Sequence, residues 1–252
     1  MMKKIFDNKT TPALSIFTTA GFPTINSLNP QLELLTKMNV DFVEVGIPFS
    51  DPMADGPVIQ QSSMTALKNG MNLTLLFEQL AQRTSPIPIV LMGYLNPVLQ
   101  FGLEKFLTLA KQNNVSGLIL PDLSAELYED RYQEIFEKYD IPVCFLVTPK
   151  TKNERITHAA NLSKNGFIYL VSSNSTTGGA QKSNHDLATR YREIKSLCNT
   201  TPVVIGFGIR DKASFDKATQ GLDGGIIGSA FIKALEREEE EVFLGELTLK
   251  TI

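Results

Sequence analysis

The chain contains 252 residues, of which 42% are hydrophobic and 20% are charged, a composition that suits one large domain or two small ones. Its 24 basic residues are outnumbered by 27 acidic ones, for a net charge of -3, which argues against a surface for nucleic acid or anionic membranes. No apolar run is long enough to span a bilayer, and the basic N-terminus lacks the apolar stretch of a signal peptide. The two cysteines and two histidines form no cluster, so we expect a cytoplasmic protein with neither a disulfide nor a metal site.

Short apolar runs alternate with amphipathic stretches from end to end of the chain. The apolar runs predict strands at 14–19, 40–46, 87–93, 117–120, 142–148, 167–171, 202–206 and 224–228. The amphipathic stretches predict helices at 27–38, 73–82, 103–112, 125–138, 153–163, 185–197, 212–218 and 230–238. Strands that alternate with helices favour an α/β fold with a parallel sheet and right-handed crossovers. Eight such units predict a TIM-type (β/α)8 barrel as a single domain over residues 1–252, and a doubly wound open sheet is the alternative.

The second predicted strand and the long loop after it, residues 40–60, carry an unusual set of acids. The strand is apolar on both faces, as expected of a buried parallel strand, yet Glu44 lies inside it. A carboxylate there is costly unless it is paired or used, and burial should raise its pKa. The loop, stiffened by Pro and Gly, adds Asp51 and Asp55. Because barrel enzymes act at the carboxyl ends of their strands, these acids form a candidate acid–base site. The alternative is that Glu44 pairs with a neighbouring donor and the aspartates cap turns.

Three glycine-rich turns follow the last three predicted strands, at 175–179, 206–209 and 224–229. Glycine lets the backbone approach an oxyanion closely, and free N–H groups at a helix start donate to it. Gly228 and Ser229 open the last predicted helix, so these turns favour a phosphate site at the end of the barrel. No lysine or arginine stands out there except Arg210, so we expect mostly neutral amides and hydroxyls to hold the phosphate. The alternative is that the glycines only make tight strand-to-helix turns.

Aromatic and apolar side chains near the predicted strand ends can line a pocket for a flat ligand. They are Phe17, Tyr94, Tyr169 and Phe207, and Ile59 can be interpreted in the same way. Packing in the core is the alternative for each of them.

The stretch 43–57, VEVGIPFSDPMADGP, closely resembles a motif of the tryptophan synthase alpha subunit family. The resemblance covers almost the whole chain through TTAGFP (18–23), MGYLNPV (92–98), LILPDL (118–123), GFGI (206–209) and IIGSAFIK (226–233). It implies a barrel lyase of tryptophan biosynthesis that cleaves indole-3-glycerol phosphate to indole and D-glyceraldehyde 3-phosphate. It also implies no cofactor in this chain, and a beta subunit that holds pyridoxal phosphate in an alpha2-beta2 complex.

The resemblance implies roles for individual positions. Glu44 and Asp55 match the catalytic carboxylates: Asp55 would accept a hydrogen bond from the indole N–H, and Glu44 would protonate the ring carbon and take a proton from the glycerol hydroxyl. The positions that match phosphate binding are Gly178, Gly208, Gly228 and Ser229. The positions that match the substrate pocket are Phe17, Ile59, Tyr94, Tyr169, Thr177 and Phe207. The positions that match the side facing the partner are Asp51 and Asn96.

The chain also departs from the family pattern. Residues 173–176 read Ser-Asn-Ser-Thr where many relatives carry Arg-Ala-Gly-Val, and Ser124 stands where relatives often have proline. The segment before the first strand is short, so a full helix closing the barrel bottom is not expected. An indole-glycerol-phosphate synthase is one alternative, but it would favour a strand-end lysine, and only Lys150 lies near one. A free-standing indole-releasing lyase and a non-catalytic activator of a beta subunit are the others.

Overall fold

The predicted strands form one parallel sheet. The computed structural model describes residues 2–7, 9–172 and 184–248. Within these ranges the strands are β1 (Ala13–Thr19), β2 (Phe42–Gly46), β3 (Ile89–Met92), β4 (Val115–Ile119), β5 (Leu146–Val147), β6 (Ile168–Val171), β7 (Val203–Gly206) and β8 (Gly224–Ile227). Their order is β4-β3-β2-β1-β8-β7-β6-β5. The first strand therefore pairs with the last, as it does when a parallel sheet curls into a barrel.

A short contact just before β5 closes the barrel. Leu118 of β4 forms a parallel bridge with Val143, because its N–H donates to the Pro142 carbonyl at 2.9 Å and its carbonyl accepts from the Cys144 N–H at 2.8 Å. The predicted strand 142–148 is shorter in the sheet, and the Phe145 N–H donates to the Ser163 hydroxyl at 3.2 Å rather than to a neighbouring strand. The TIM-barrel class is confirmed, whereas a single domain over 1–252 stays a prediction.

Helices surround the sheet, and every predicted helix is present. They are α1 (Leu28–Lys37), α2 (Pro57–Lys68), α3 (Leu73–Ala81), α4 (Leu95–Phe101), α5 (Leu103–Gln112), α6 (Ala125–Arg131), α7 (Gln133–Tyr139), α8 (Asn153–Leu162), α9 (Asn184–Leu197), α10 (Lys212–Ala218), α11 (Ser229–Glu236) and α12 (Glu240–Thr248). The single helix predicted over 125–138 is divided into α6 and α7. None of the helices described is long and apolar enough to cross a membrane.

Three helices were not predicted from the sequence. α2 occupies the stretch read as a long loop and begins at Pro57, a residue suited to the first helical turn. α4 has only seven residues and contains Pro97. α12 follows α11 after a break at Glu238, which has a left-handed φ of 58°, so the acidic run 236–241 spans the end of one helix and the start of the next.

Aromatic packing fills the barrel at the N-terminal ends of its strands. A four-residue 3₁₀ turn, Met2–Ile5, leads into Phe6, and Met2 is fully buried. The Phe6 ring lies 6.1 Å from Phe42 of β2 and 6.2 Å from Phe167. This segment closes that end by hydrophobic contact.

Two carboxylates tie neighbouring strands together at the same end. Asp41, just before β2, accepts from the Leu14 N–H of β1 at 2.8 Å and from Lys9 Nζ at 2.6 Å. Asp223, just before β8, accepts from the Val203 N–H of β7 at 2.6 Å and from Lys195 Nζ, also at 2.6 Å. Each acid therefore has both a backbone and a cationic partner.

Candidate active site

A cavity of about 780 Å³ lies at the opposite end, where the strands finish. Seven of the eight strands contribute an inward side chain to its wall: Phe17, Glu44, Met92, Ile119, Leu146, Tyr169 and Ile226. The rest of the lining comes from the loop after β2 and the start of α2, Pro121 after β4, the turn after β7, and α11, α12 and the residues between them. The cavity is where barrel enzymes hold their active sites.

Glu44 is the central acid of the cavity. It is the third residue of β2, opposite Phe17 of β1 and Val90 of β3, and only 3% of it is exposed. Its Oε2 has no hydrogen-bond partner among the described residues. Burial, reinforced by the negative charge of Asp55, raises the pKa of Glu44 from 4.5 to about 8. A carboxyl with such a pKa can both give and take a proton near neutral pH.

Asp55 reaches the same cavity from the loop between β2 and α2. Its Oδ2 accepts a hydrogen bond from the Tyr94 hydroxyl at 3.0 Å. Burial raises the pKa of Asp55, and the Tyr94 bond opposes that rise because it stabilises the charged form. Tyr94 itself lies behind Asp55 rather than in the cavity wall. Glu44 lies in a strand and Asp55 in a loop, yet both face the same cavity.

The turn after β7 and the start of α11 form a second side of the cavity, lined by Gly208, Gly228 and Ser229. Phe207 and Gly208 both have left-handed backbones, with φ of 69° and 78°. That conformation is rare for a bulky residue, and the Ser172 hydroxyl holds it by donating to the Phe207 carbonyl at 2.9 Å. Ser229 is the first residue of α11, whose free N–H groups favour an anion.

Three cations line the cavity, Arg210, Lys233 and Arg237, although the sequence drew attention only to Arg210. Arg237 lies 4.0 Å from Glu239, which also lines the cavity, and the charge of Arg210 acts on the neighbouring Asp211. Lys233 follows Ser229 by four residues, so it lies on the same helix face, and helical side chains lean toward the N-terminus. This spacing was the signal that sequence reasoning missed.

Another part of the cavity wall is apolar. Phe17, Ile59, Tyr169 and Phe207 line the cavity, and the rings of Tyr169 and Phe207 meet edge to face with centroids 6.1 Å apart. Gly206 leaves the space that the Tyr169 ring occupies, since a Cβ there would collide with the phenol. A flat aromatic ligand fits such a wall.

The other predicted positions lie elsewhere. Asp51 and Asn96 are exposed on the loop after β2 and on α4, near Met53 and Leu99, which are 84% and 41% exposed. Thr177 and Gly178 lie outside the described residues. No group of three metal-ligating side chains occurs in the described ranges.

A (β/α)8 barrel with a buried carboxyl pair beside an anion-favouring helix start defines an enzyme of acid–base chemistry at its strand ends. Comparison with known proteins makes the class specific. The family model described as tryptophan synthase alpha chain matches residues 4–250. The chain belongs to the tryptophan synthase alpha chain family. It is accordingly a lyase that acts as the alpha chain in tryptophan biosynthesis.

Individual relatives agree with the family match. The tryptophan synthase alpha chain of Flavobacterium psychrophilum is 48% identical over 224 residues, which cover 88% of each chain. The alpha chain of Christiangramia forsetii is 46% identical over 222 residues, which cover 87% of this chain and 86% of the relative. The solved alpha chain of Legionella pneumophila superposes with a TM-score of 0.85 at 27% identity, covering 98% of this chain and 96% of that one. A structure of Mycobacterium tuberculosis tryptophan synthase superposes with a TM-score of 0.86 at 29% identity, covering 97% of this chain and 95% of that one.

Proposed function

We propose that the cavity cleaves indole-3-glycerol phosphate by a retro-aldol reaction, with Glu44 and Asp55 as its catalytic residues. The observation that carries this proposal is Glu44: a fully enclosed carboxyl, one oxygen of which is unpartnered in the described ranges, facing Asp55 in a single cavity. A buried acid without a structural partner costs stability. The position of Glu44 in the cavity therefore favours a catalytic role for this residue.

The reaction requires a proton at the ring carbon that bears the glycerol chain. Asp55 accepts a hydrogen bond from the indole N–H and so favours that tautomer. Glu44 gives its proton to the ring carbon and takes one from the adjacent glycerol hydroxyl. The C–C bond then breaks, its electron pair returns to the ring as indole, and the oxygen that lost its proton becomes the aldehyde of D-glyceraldehyde 3-phosphate. A pKa of about 8 suits a group that acts as acid first and base second.

The phosphate of the substrate fits the side formed by Gly208, Gly228 and Ser229. Backbone N–H groups at the start of α11 and the helix dipole favour a dianion there. Arg210 and Lys233 add positive charge on this side, while Arg237, Glu239 and Glu246 line the cavity further along α11 and α12. Gly178 is proposed as a further contact from outside the described residues.

The indole ring fits between the apolar walls. Phe17, Ile59, Tyr169 and Phe207 are proposed as its contacts because they line the cavity beside the two acids. Thr177 is proposed to join Asp55 when substrate is bound, and Tyr94 supports Asp55 from behind.

The exposed surface around Asp51 and Asn96 is proposed to face a beta subunit. It includes Met53, which is 84% exposed, and large exposed apolar side chains favour a protein interface. The partner would hold pyridoxal phosphate in an alpha2-beta2 complex, with no cofactor in this chain, and a biosynthetic role of this kind favours the cytoplasm.

The test is indole release from indole-3-glycerol phosphate by the purified chain, alone and with a beta subunit. Slow release that rises with the partner supports a regulated alpha chain. Fast release by the chain alone supports a free indole-producing lyase instead. A folded chain that releases no indole in either assay contradicts the proposal and leaves a non-catalytic activator.

A further inference from the structure

We propose that Tyr94 is a positioning residue for the cleavage reaction, because its hydroxyl fixes the carboxylate of Asp55 toward the substrate. This inference rests on the function proposed above. It gives Tyr94 a different role from the pocket-wall contact that the family resemblance implies.

One hydroxyl makes two hydrogen bonds to consecutive residues of the loop after β2. Tyr94 Oη donates to Asp55 Oδ2 at 3.0 Å and accepts from the Ala54 N–H, also at 3.0 Å. Together the two bonds hold both the side chain of Asp55 and the peptide that precedes it. With Oδ2 engaged, Oδ1 is the oxygen left to meet an indole N–H.

Tyr94 is itself firmly held. It is 3% exposed, and its ring packs on Phe49 with centroids 5.3 Å apart. Tyr94 also precedes α4 directly, and Asp122 accepts from the Leu95 N–H with both carboxylate oxygens at 3.0 Å. The position of the hydroxyl is therefore fixed by the backbone and by the packing of the ring.

The loop that carries Asp55 has few other anchors. In the described ranges, the Tyr94 bond is the only side-chain hydrogen bond to the Asp55 carboxylate, and Met53, two residues earlier, is largely exposed. Gln60 Nε2 donates to the Asp55 carbonyl at 2.8 Å, which fixes the backbone but not the carboxylate. Loss of the phenol bond should thus free the carboxylate to rotate.

The charges around the pair agree with this role. Asp55 is faced by Glu44 from β2, Tyr169 from β6 and Tyr94 from the end of β3, while Asp122 faces Tyr94 from the loop after β4. Burial raises the pKa of Tyr94, so the phenol keeps its proton and stays a donor. That donation favours ionised Asp55, the form that accepts from the indole N–H.

The experiment is the Tyr94→Phe variant, assayed by indole release across pH. Removal of the hydroxyl keeps the ring and its packing on Phe49. We expect kcat to fall about 10- to 100-fold with little change in KM, since misplacement of a catalytic group costs turnover. We also expect the acid limb of the kcat profile to move to higher pH, because Asp55 loses the bond that lowers its pKa.

The matched control is Tyr128→Phe. Tyr128 is also buried, but its ring packs between Phe136 and Phe145, away from the cavity, so kcat and the pH profile should stay as in the parent. A merely structural role of Tyr94 would lower the melting temperature without moving the acid limb. Wild-type kcat and an unmoved acid limb in Tyr94→Phe would overturn the inference.

Two further variants keep the test decisive. If Tyr94→Phe does not fold, Phe49→Leu loosens the Tyr94 ring and should give a smaller change of the same kind; an unchanged pH profile there counts against the role. Asp55→Asn separates this inference from the proposed function. If Asp55→Asn cleaves normally, the catalytic role proposed for Asp55 is wrong and the positioning role fails with it, whereas if it is inactive and Tyr94→Phe is normal, only the positioning role is wrong.

Discussion

The two ends of the barrel use carboxylates in opposite ways. At the N-terminal ends of the strands, Asp41 and Asp223 each accept from a backbone N–H and a lysine ammonium. At the other end, Glu44 leaves Oε2 without a partner among the described residues, and the carboxylate of Asp55 is held there by one phenol. All four side chains are carboxylates of one barrel, yet their surroundings differ.

This contrast shows how one fold separates stability from chemistry. A carboxylate with both a backbone donor and a cation strengthens the joint between two strands. A carboxyl enclosed without such partners weakens the fold but keeps its proton available near neutral pH. Each of the following predictions tests one side of that division.

The largest effect is expected from Glu44→Gln. The amide keeps the shape of the side chain but cannot transfer the proton, so cleavage should fall by roughly 10²- to 10⁴-fold. Indole release under saturating substrate measures this, with the exposed Glu104→Gln as control. Near-normal turnover in Glu44→Gln would show that another group moves the proton.

The same variant should change how stability depends on pH. In the folded chain Glu44 has a pKa of about 8 against 4.5 for the free group, so its proton is retained on folding. The parent is therefore most stable below about pH 4.5 with respect to this group, and it loses about 1.4 kcal/mol per pH unit between there and pH 8.

The Glu44→Gln variant should not lose stability in this way as the pH rises. Its free energy of unfolding, measured by urea titration, should exceed that of the parent by a margin that grows from pH 5 to pH 8. An equal difference at every pH would mean that Glu44 ionises normally in the folded chain.

A smaller effect is expected at the opposite end. Asp223→Ala leaves the Val203 N–H without its acceptor and Lys195 without its partner, at a cost of about 1–2 kcal/mol in the free energy of unfolding. Turnover should stay unchanged because the residue is far from the cavity. Asp223→Asn retains an acceptor oxygen and should lose less; a turnover defect in either variant would mean that the two ends are not independent.

The smallest effect is expected for Lys233→Gln. Removing this charge from the phosphate side should raise KM about 3- to 10-fold while kcat is kept, and the difference should shrink at high salt. The exposed Lys217→Gln on α10 is the matched control. A fall in kcat with constant KM would place Lys233 in the chemical step instead.

Much of this separation between the structural and the catalytic end of the barrel can be predicted from the sequence. The alternation of apolar runs with amphipathic stretches predicts all eight strands, and an acid inside an apolar strand singles out Glu44. Both signals are local, because they depend on the side chains of one segment. The bounds of β5 were less accurate, since the Phe145 N–H donates to the Ser163 hydroxyl rather than to a neighbouring strand.

Other features depend on tertiary packing and were not predicted. α2 mixes polar and apolar residues without a clear stripe, and contacts with β1 and α11 rather than its own pattern support it. Lys233 borders the cavity only because α11 starts at its edge, and Tyr94 turns behind Asp55 rather than into the pocket. Such placements depend on how separate loops meet, which one segment does not encode.

The space above Gly206 has an evolutionary consequence. The Tyr169 ring of the neighbouring strand fills it so closely that any side chain at 206 would collide with the phenol. The two positions should therefore be coupled: a larger residue at 206 would displace the Tyr169 ring, and a smaller residue at 169 would leave room for it. Substitution histories at this wall of the cavity should be interpreted as pairs rather than as single changes.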